Sequence, residues 1–396
     1  MKLRVILLTL TGVFFITMSS GIRNNYGIML SSIIEHSGIP LTGVSFIFAV
    51  GQLVYGLVQP FFGILAAKKG SKYALASGVI IITIGLILTP FSTSMLSLLL
   101  CLGIILPTGA GVLSYGIIIG AISPKIPPSM ILTISGIINA SIGLGNLVMS
   151  PVINSLITTG GLRYGLHFLS VPVLLTLPIA LLLGRKDKNT ILRTSEYPLE
   201  ISDPGNIKKL FTDALRNKTY RLLVIGFFCC GFHMALINNH LPNLFLSEGF
   251  SSDSAARAFS LYGISTIIGS VSSGILCNKF KMQKVLGVMY GLRPFTILAL
   301  LLMPKTVLNL TVFTCLLGFT GATTVPPVSG LINKTFGTAS ISMLFGLIFF
   351  IHQVGGFTSA WLGGICYELT GAYTAIWAAG ILLGTTACIA SFSIKS

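Results

Sequence analysis

Twelve apolar stretches, each about 20 residues or longer, follow one another with little chain between them. In approximate bounds they cover 5–34, 41–66, 73–93, 95–122, 130–157 and 163–184, then 219–246, 254–277, 284–303, 306–333, 338–366 and 371–393. A helix needs about 20 apolar residues to cross the hydrocarbon of a bilayer. Open sheets and irregular chain leave backbone groups unsatisfied there, so long apolar runs of this kind become helices. The expected fold is an all-α membrane protein with 12 transmembrane helices, and the expected surroundings are a lipid bilayer. Only 9% of the 396 residues are charged, where soluble domains carry about 25%, so little soluble domain is expected. The net charge of +16 would suit nucleic acid, but the basic residues cluster in a few loops without interleaved aromatics, and no nucleic-acid partner is expected.

The loops orient the chain. One alternate set holds Lys68, Lys69 and Lys72, then Lys125, the middle segment, Lys279, Lys281 and Lys284, and Lys334; both termini, with Lys2, Arg4 and Lys395, join it. About 20 of the 25 basic residues lie on this side, which the positive-inside rule assigns to the cytoplasm. The opposite loops hold few, such as Arg163 and Lys305. The start, MKLR and an apolar run ending near Ser19, Ser20 and Gly21, also has the form of a cleaved signal peptide. Cleavage would leave an odd number of spans, so the run is expected to stay as span one. Seven scattered cysteines show no paired spacing and read as small apolar residues, with no disulfide framework and no metal site expected.

The long polar stretch from about Gly184 to Arg221 mixes both signs and contains Pro198 and Pro204. It reads as a cytoplasmic linker at 185–218 between an N-terminal bundle, 1–184, and a C-terminal bundle, 219–396. Ile207 to Arg216 could form a short amphipathic helix on the membrane surface. Each half has six apolar stretches, and one loop recurs: GILAAKKGSKYAL from Gly63 and GILCNKFKMQKVL from Gly274. Two parallel, pseudo-symmetric six-helix bundles are therefore expected.

That loop resembles the one between spans two and three of the major facilitator superfamily, roughly G-x-L-A-D-R-x-G-R-R. Gly63, Leu65, Ala66, Lys68, Gly70 and Lys72 fit, while Ala67 and, in the second copy, Asn278 replace the acidic residue. The family's latch of helix ends through that carboxylate is absent from both copies. GGLRYG near Gly160 and GGICYELTGAY near Gly363 look like further family loops. RNNYGIML, VSFIFAVGQLVYGLVQPFFG, FFCCGFHMALINNHLP, YGLRPF and FGLIFFIHQVGGF together resemble bacterial members of the monocarboxylate porter and oxalate–formate antiporter branch. The resemblance implies the major facilitator fold. It also implies alternating-access secondary transport of a small organic anion, a mono- or dicarboxylate, with a proton or by exchange. The carrier would be a monomer in the inner (plasma) membrane, without a cofactor.

A charge in hydrocarbon costs about 3 kcal/mol or more and is rarely kept without a role. Arg23 is such a charge, toward the outer end of the first stretch; its planar fork of donors suits a carboxylate, and snorkelling to the outer headgroups is the other reading. Tyr26, about one turn on, is the expected companion. Span seven offers His233 and His240, seven apart and so on one face, each either a proton carrier or a hydrogen-bonded packing residue. Span eleven offers His352 and Gln353, polar residues that are costly unless paired or facing water; His352 would stand where the resemblance implies a lysine. Tyr115 and Asn139 are candidates of the same kind, with Gln52, Tyr55, Gln59 and Asn146, and interhelical bonding is an equal reading of each. Arg293 falls in span nine, which the family fold places at the periphery, and a structural role is expected for it.

None of the nine carboxylates lies deep in an apolar stretch. Glu35, Glu248, Asp253 and Glu368 are at the ends opposite the basic loops, and Asp187, Glu196, Glu200, Asp203 and Asp213 are in the linker. A cationic cargo would find no countercharge. The Asp and Arg pair of the porter family in span eight is replaced by Thr266 and Ser270. Export of drug-like amphipaths is one alternative; a non-transporting membrane sensor is another. A membrane-embedded enzyme would need a dense histidine cluster or a nucleophile with its base, and none is seen.

Overall fold

The structure, a computed structural model, describes residues 2–183, 204–337 and 341–395. The described residues are helical apart from short turns, with no strand among them. Eleven of their helical runs are long and apolar enough to cross a bilayer. One, Ser129–Leu183, spans 55 residues and reverses at Gly161, whose φ of 74° only glycine adopts readily. Lys125, just before this run, donates to the carbonyl of Leu183 at its far end. Arg163, just past the turn, stacks on Phe91 at the other end of the bundle. The run is therefore spans five and six, and the spans number twelve among the described residues.

Span one is Lys2–Asn24 continued by Tyr26–Ser37. Span two is Leu41–Lys69, span three Ser71–Leu88. Span four passes from Met95–Leu98 through a π-helical Leu99–Ile105 to Leu106–Val112 and, after a break, Tyr115–Ile122. The π turn precedes Pro107, which has no N–H to give the ladder. A helix at Pro204–Arg216 packs Leu210 and Phe211 under the C-terminal half; the remainder of the expected linker, 185–203, lies outside the described residues. Spans seven, eight and nine are Lys218–Ser247, Ser252–Lys279 and Met282–Leu302. Span ten is Val307–Ala322 and Val325–Phe336, span eleven Ile341–Thr370, span twelve Thr374–Phe392. One apolar core gathers residues from Val5 to Leu183, and two others gather residues from Ala214 to Ile394.

The breaks have local causes. At Asn25 the side-chain amide donates to the carbonyl of Gly21 at 2.6 Å, taking the place of a main-chain donor. In span ten Pro326 and Pro327 bring no N–H, and Thr324 N–H reaches Gly321 rather than Thr320. The freed carbonyls are taken from outside: Ser273 Oγ donates to Thr323 at 2.6 Å, and Arg293 Nη2 donates to Thr320 at 2.9 Å. Arg293 is only 1% exposed and faces inward, with Cys230 Sγ 3.6 Å from Nη2 and the Tyr290 ring 4.8 Å from its carbon centre. It braces spans seven, nine and ten at the break, so the expected structural role has a specific form.

The two halves meet along spans two and eleven and along spans five and eight. At the end away from the basic loops these pairs are tied tightly. Glu368 accepts from Thr42 N, at 2.9 Å, and from Thr42 Oγ1. Asn154 donates to Asp253 at 2.6 Å, and Ser260 to the carbonyl of Leu147 at 3.1 Å. Phe46 packs on Trp361 with centroids 5.3 Å apart. Toward the basic end the same helices part: a Cβ added at Gly63, Gly136, Gly274 or Gly346 would meet nothing within 4 Å. The bundle is closed at one end and open at the other.

Candidate functional site

Arg23 sits at the middle of this interface because span one approaches span five very closely. A Cβ on Gly145 would lie 2.8 Å from the nitrogen of Gly21, so neither position tolerates a side chain. The half-buried guanidinium has its carbon 3.8 Å from the centre of the Tyr55 ring. Nη2 donates to Gln52 at 2.5 Å and, across the interface, to Gln353 at 3.5 Å; Nη1 donates to Asn24 at 3.2 Å. Every partner is neutral, and Arg23 makes no ion pair among the described residues. A guanidinium has five N–H donors. Three contacts leave two donors free and one weakly held.

Span eleven brings Gln353 and His352 to this point through an equally close contact with span seven. A Cβ on Gly231 would run into the carbonyl of His352, and one on Gly355 into that of Phe228. Gln353 is buried, and its Nε2 lies 3.5 Å from His352 Nδ1. The half-buried His352 ring is stacked on Phe349, centroids 5.6 Å apart and 7° from parallel, and lies 5.0 Å from the ring of Phe227.

The other expected residues make contacts of their own. Tyr26 is buried and stacks on Phe48 at 5.0 Å, inside the N-terminal core. The break at Asn25 starts a new helix, yet Tyr26 stays within electrostatic reach of Arg23. Tyr55 and Gln52 of span two contact the guanidinium directly. His233 is buried toward span twelve, Nδ1 2.8 Å from the carbonyl of Cys229 and Nε2 2.9 Å from that of Gly380. His240 has Nε2 2.7 Å from the carbonyl of Ala360 and Nδ1 3.4 Å from the Tyr373 hydroxyl. Neither shares a space with Arg23. The reason lies in the repeat. The two basic loops start about 211 positions apart, so His233 and His240 correspond to Ile22 and Met29. Both of those are buried in the N-terminal core, and the corresponding face of span seven is buried in the C-terminal half. Asn139 donates to Ser270 at 3.4 Å, joining spans five and eight. Tyr115 begins the second segment of span four and packs, half-buried, against the N-terminal core.

Sequence reasoning passed over the rings beside His352. Phe345, Phe349 and His352 stand at i, i+4 and i+7, one face of a helix, which was a readable signal. It also passed over Asp253 and Glu368 as ties between the halves.

The profile of the Major Facilitator Superfamily matches residues 9–360 and 223–395. The chain is 24% identical to an uncharacterized MFS-type transporter, YcxA, of Bacillus subtilis (strain 168), over 98% of this chain and 94% of that one. It is 25% identical to monocarboxylate transporter 13 of Bos taurus (90% and 81% covered) and 25% identical to human monocarboxylate transporter 12 (84% and 69%). Among solved structures it superposes on a D-xylose-proton symporter with a TM-score of 0.72 at 13% identity, covering 99% and 97%. It superposes on a bacterial homologue of the human lysosomal transporter Spinster, inward-facing and unoccupied, with a TM-score of 0.73 at 15% identity, covering 98% and 94%. The twelve spans, their division into two halves and the full-length match agree: this chain belongs to the Major Facilitator Superfamily.

Proposed function

We propose that the chain is a secondary active carrier of a small organic anion, a carboxylate, held by Arg23 at the interface between the halves. The observation that carries this reading is a half-buried guanidinium whose partners are all neutral. A fixed cation at membrane depth is costly unless something neutralises it, and a carboxylate matches its donor fork. The monocarboxylate transporters among the relatives support the cargo class. Gln353 and His352 complete the binding wall, with Gln52 and Tyr55 positioning the guanidinium. The positive-inside rule applied to the basic loops supports cytoplasmic termini, and the carrier is assigned to the inner (plasma) membrane. The open end then faces the cytoplasm, and the ties of Glu368 and Asp253 close the outer end. The halves rock about the site, with a proton carried alongside the anion or a second anion moving in exchange.

Purified carrier in proteoliposomes, offered labelled mono- and dicarboxylates with and without a pH gradient, tests this. Saturable, protein-dependent uptake of at least one carboxylate is expected. Uptake confined to cationic or neutral amphipaths would end the reading.

A further inference from the structure

Arg23 does not stand against a polar wall. Its guanidinium covers the face of Tyr55 at 3.8 Å. The Tyr55 ring lies 6.3 Å from that of Phe349, Phe349 stacks on His352 at 5.6 Å, and His352 lies 5.0 Å from Phe227. Phe227 in turn lies 5.8 Å from Phe345. Five rings from spans two, seven and eleven thus run on from the cation without interruption. Tyr55, Phe345, Phe349 and His352 are each half-buried, so they keep accessible surface. The open position Gly346, where a Cβ would meet nothing within 4 Å, adjoins Phe345 in span eleven.

The amides next to Arg23 turn their oxygens to it. Asn24, Gln52 and Gln353 each accept from the guanidinium. No described carboxylate lies near it to receive the ammonium of an amino acid, and no second cation joins it to hold a dianion. Arg293, the other cation buried in the spans, is turned to Thr320 and Cys230 inside the C-terminal half. A ligand that meets one cation and then a run of ring faces has one carboxylate and a flat apolar body.

We propose that the cargo is an aromatic monocarboxylate, its carboxylate on Arg23 and its ring against Phe349 and His352. This rests on the reading of Arg23 as the anion site and narrows it. Ring–ring contacts of this kind favour a planar body over a saturated one of the same size by about tenfold in affinity.

The test compares benzoate, cyclohexanecarboxylate and lactate by ligand-induced thermal stabilisation of the purified full chain in nanodiscs, where diffusion of the free acids does not interfere. Benzoate is expected to bind about tenfold tighter than cyclohexanecarboxylate, with lactate weaker still. Phe349→Leu is expected to remove the preference for benzoate over cyclohexanecarboxylate. The wild-type series needs no variant to fold. Equal binding of benzoate and cyclohexanecarboxylate, or lactate binding tighter than both, overturns the aromatic assignment and leaves the anion site standing. Binding of all three that is unchanged in Arg23→Gln overturns both.

Discussion

Replacing Arg23 with Gln removes the cation from the interface and keeps a side chain able to hydrogen-bond Gln52. The guanidinium makes three contacts, at 2.5, 3.2 and 3.5 Å. A carboxylate can use the two free N–H groups or displace Gln353, whose contact is the longest. A hydrogen bond to a charged group contributes about 1.5–3 kcal/mol, so losing one charged bond weakens binding about 10- to 150-fold. The fold should not suffer. An unpaired charge at this depth disfavours the folded state, and a neutral amide of similar reach relieves that cost. The expected result is anion uptake lost at sub-millimolar concentration, with a thermal midpoint equal to or above that of the parent. Arg23→Lys keeps the charge but gives up the fork and the flat stack on Tyr55, and should retain an intermediate affinity. Ligand-induced thermal stabilisation in nanodiscs gives the affinities, and counterflow in proteoliposomes gives transport. Arg23→Gln protein that binds and carries the same anion within about threefold of the parent would refute the assignment.

Two further outcomes follow from other parts of the fold. Arg293→Ala leaves the Thr320 carbonyl without its donor and should cost about 1–3 kcal/mol, seen as a lower thermal midpoint with anion affinity unchanged; a loss of affinity at unchanged stability would contradict the bracing role. Asn154→Cys with Asp253→Cys, joined by a short bis-methanethiosulfonate reagent, should hold the closed end shut and stop counterflow, and undiminished counterflow in the joined protein would show that this end does not open.

The parts of this protein legible in its sequence are those that a linear pattern controls. Span number follows from apolar length, and Arg23 stands out because a charge is conspicuous in an apolar run. The equivalence of the halves shows in the loops at Gly63 and Gly274. What was not legible depends on which face of a helix meets what. His233 and His240 do share a face, but the repeat maps them onto Ile22 and Met29, while Arg23 maps onto Met234. A strict use of the offset would have turned both histidines inward. The break at Asn25 comes from one side-chain amide competing with the main chain, which hydropathy does not register. Glu368 and Asp253 could be placed at helix ends by sequence, but their partners Thr42 and Asn154 lie in the other half, and only the packing of the halves brings them together.

That packing also bears on how an empty carrier avoids running without cargo. Closing the basic end would bury Arg23 more deeply with only amides and the Tyr55 ring around it, and a guanidinium without an anion opposes such desolvation. A bound carboxylate removes most of the opposing charge and takes the place of the weak Gln353 contact, so closure becomes favourable only when the site is filled. On this argument the bare cation is a barrier to empty closure as well as a binding group. Arg23→Gln should then lose transport and yet close more often without cargo. Gly346→Cys, at an open position of span eleven, reports on that state. In inside-out vesicles its modification by a membrane-impermeant maleimide should slow several-fold when Arg23→Gln is added, because the closed form hides it. The parent should show a similar slowing only when a carried anion is present. Equal labelling rates with and without the Arg23 charge, in the absence of anion, would mean that the halves close irrespective of it and that the barrier lies elsewhere.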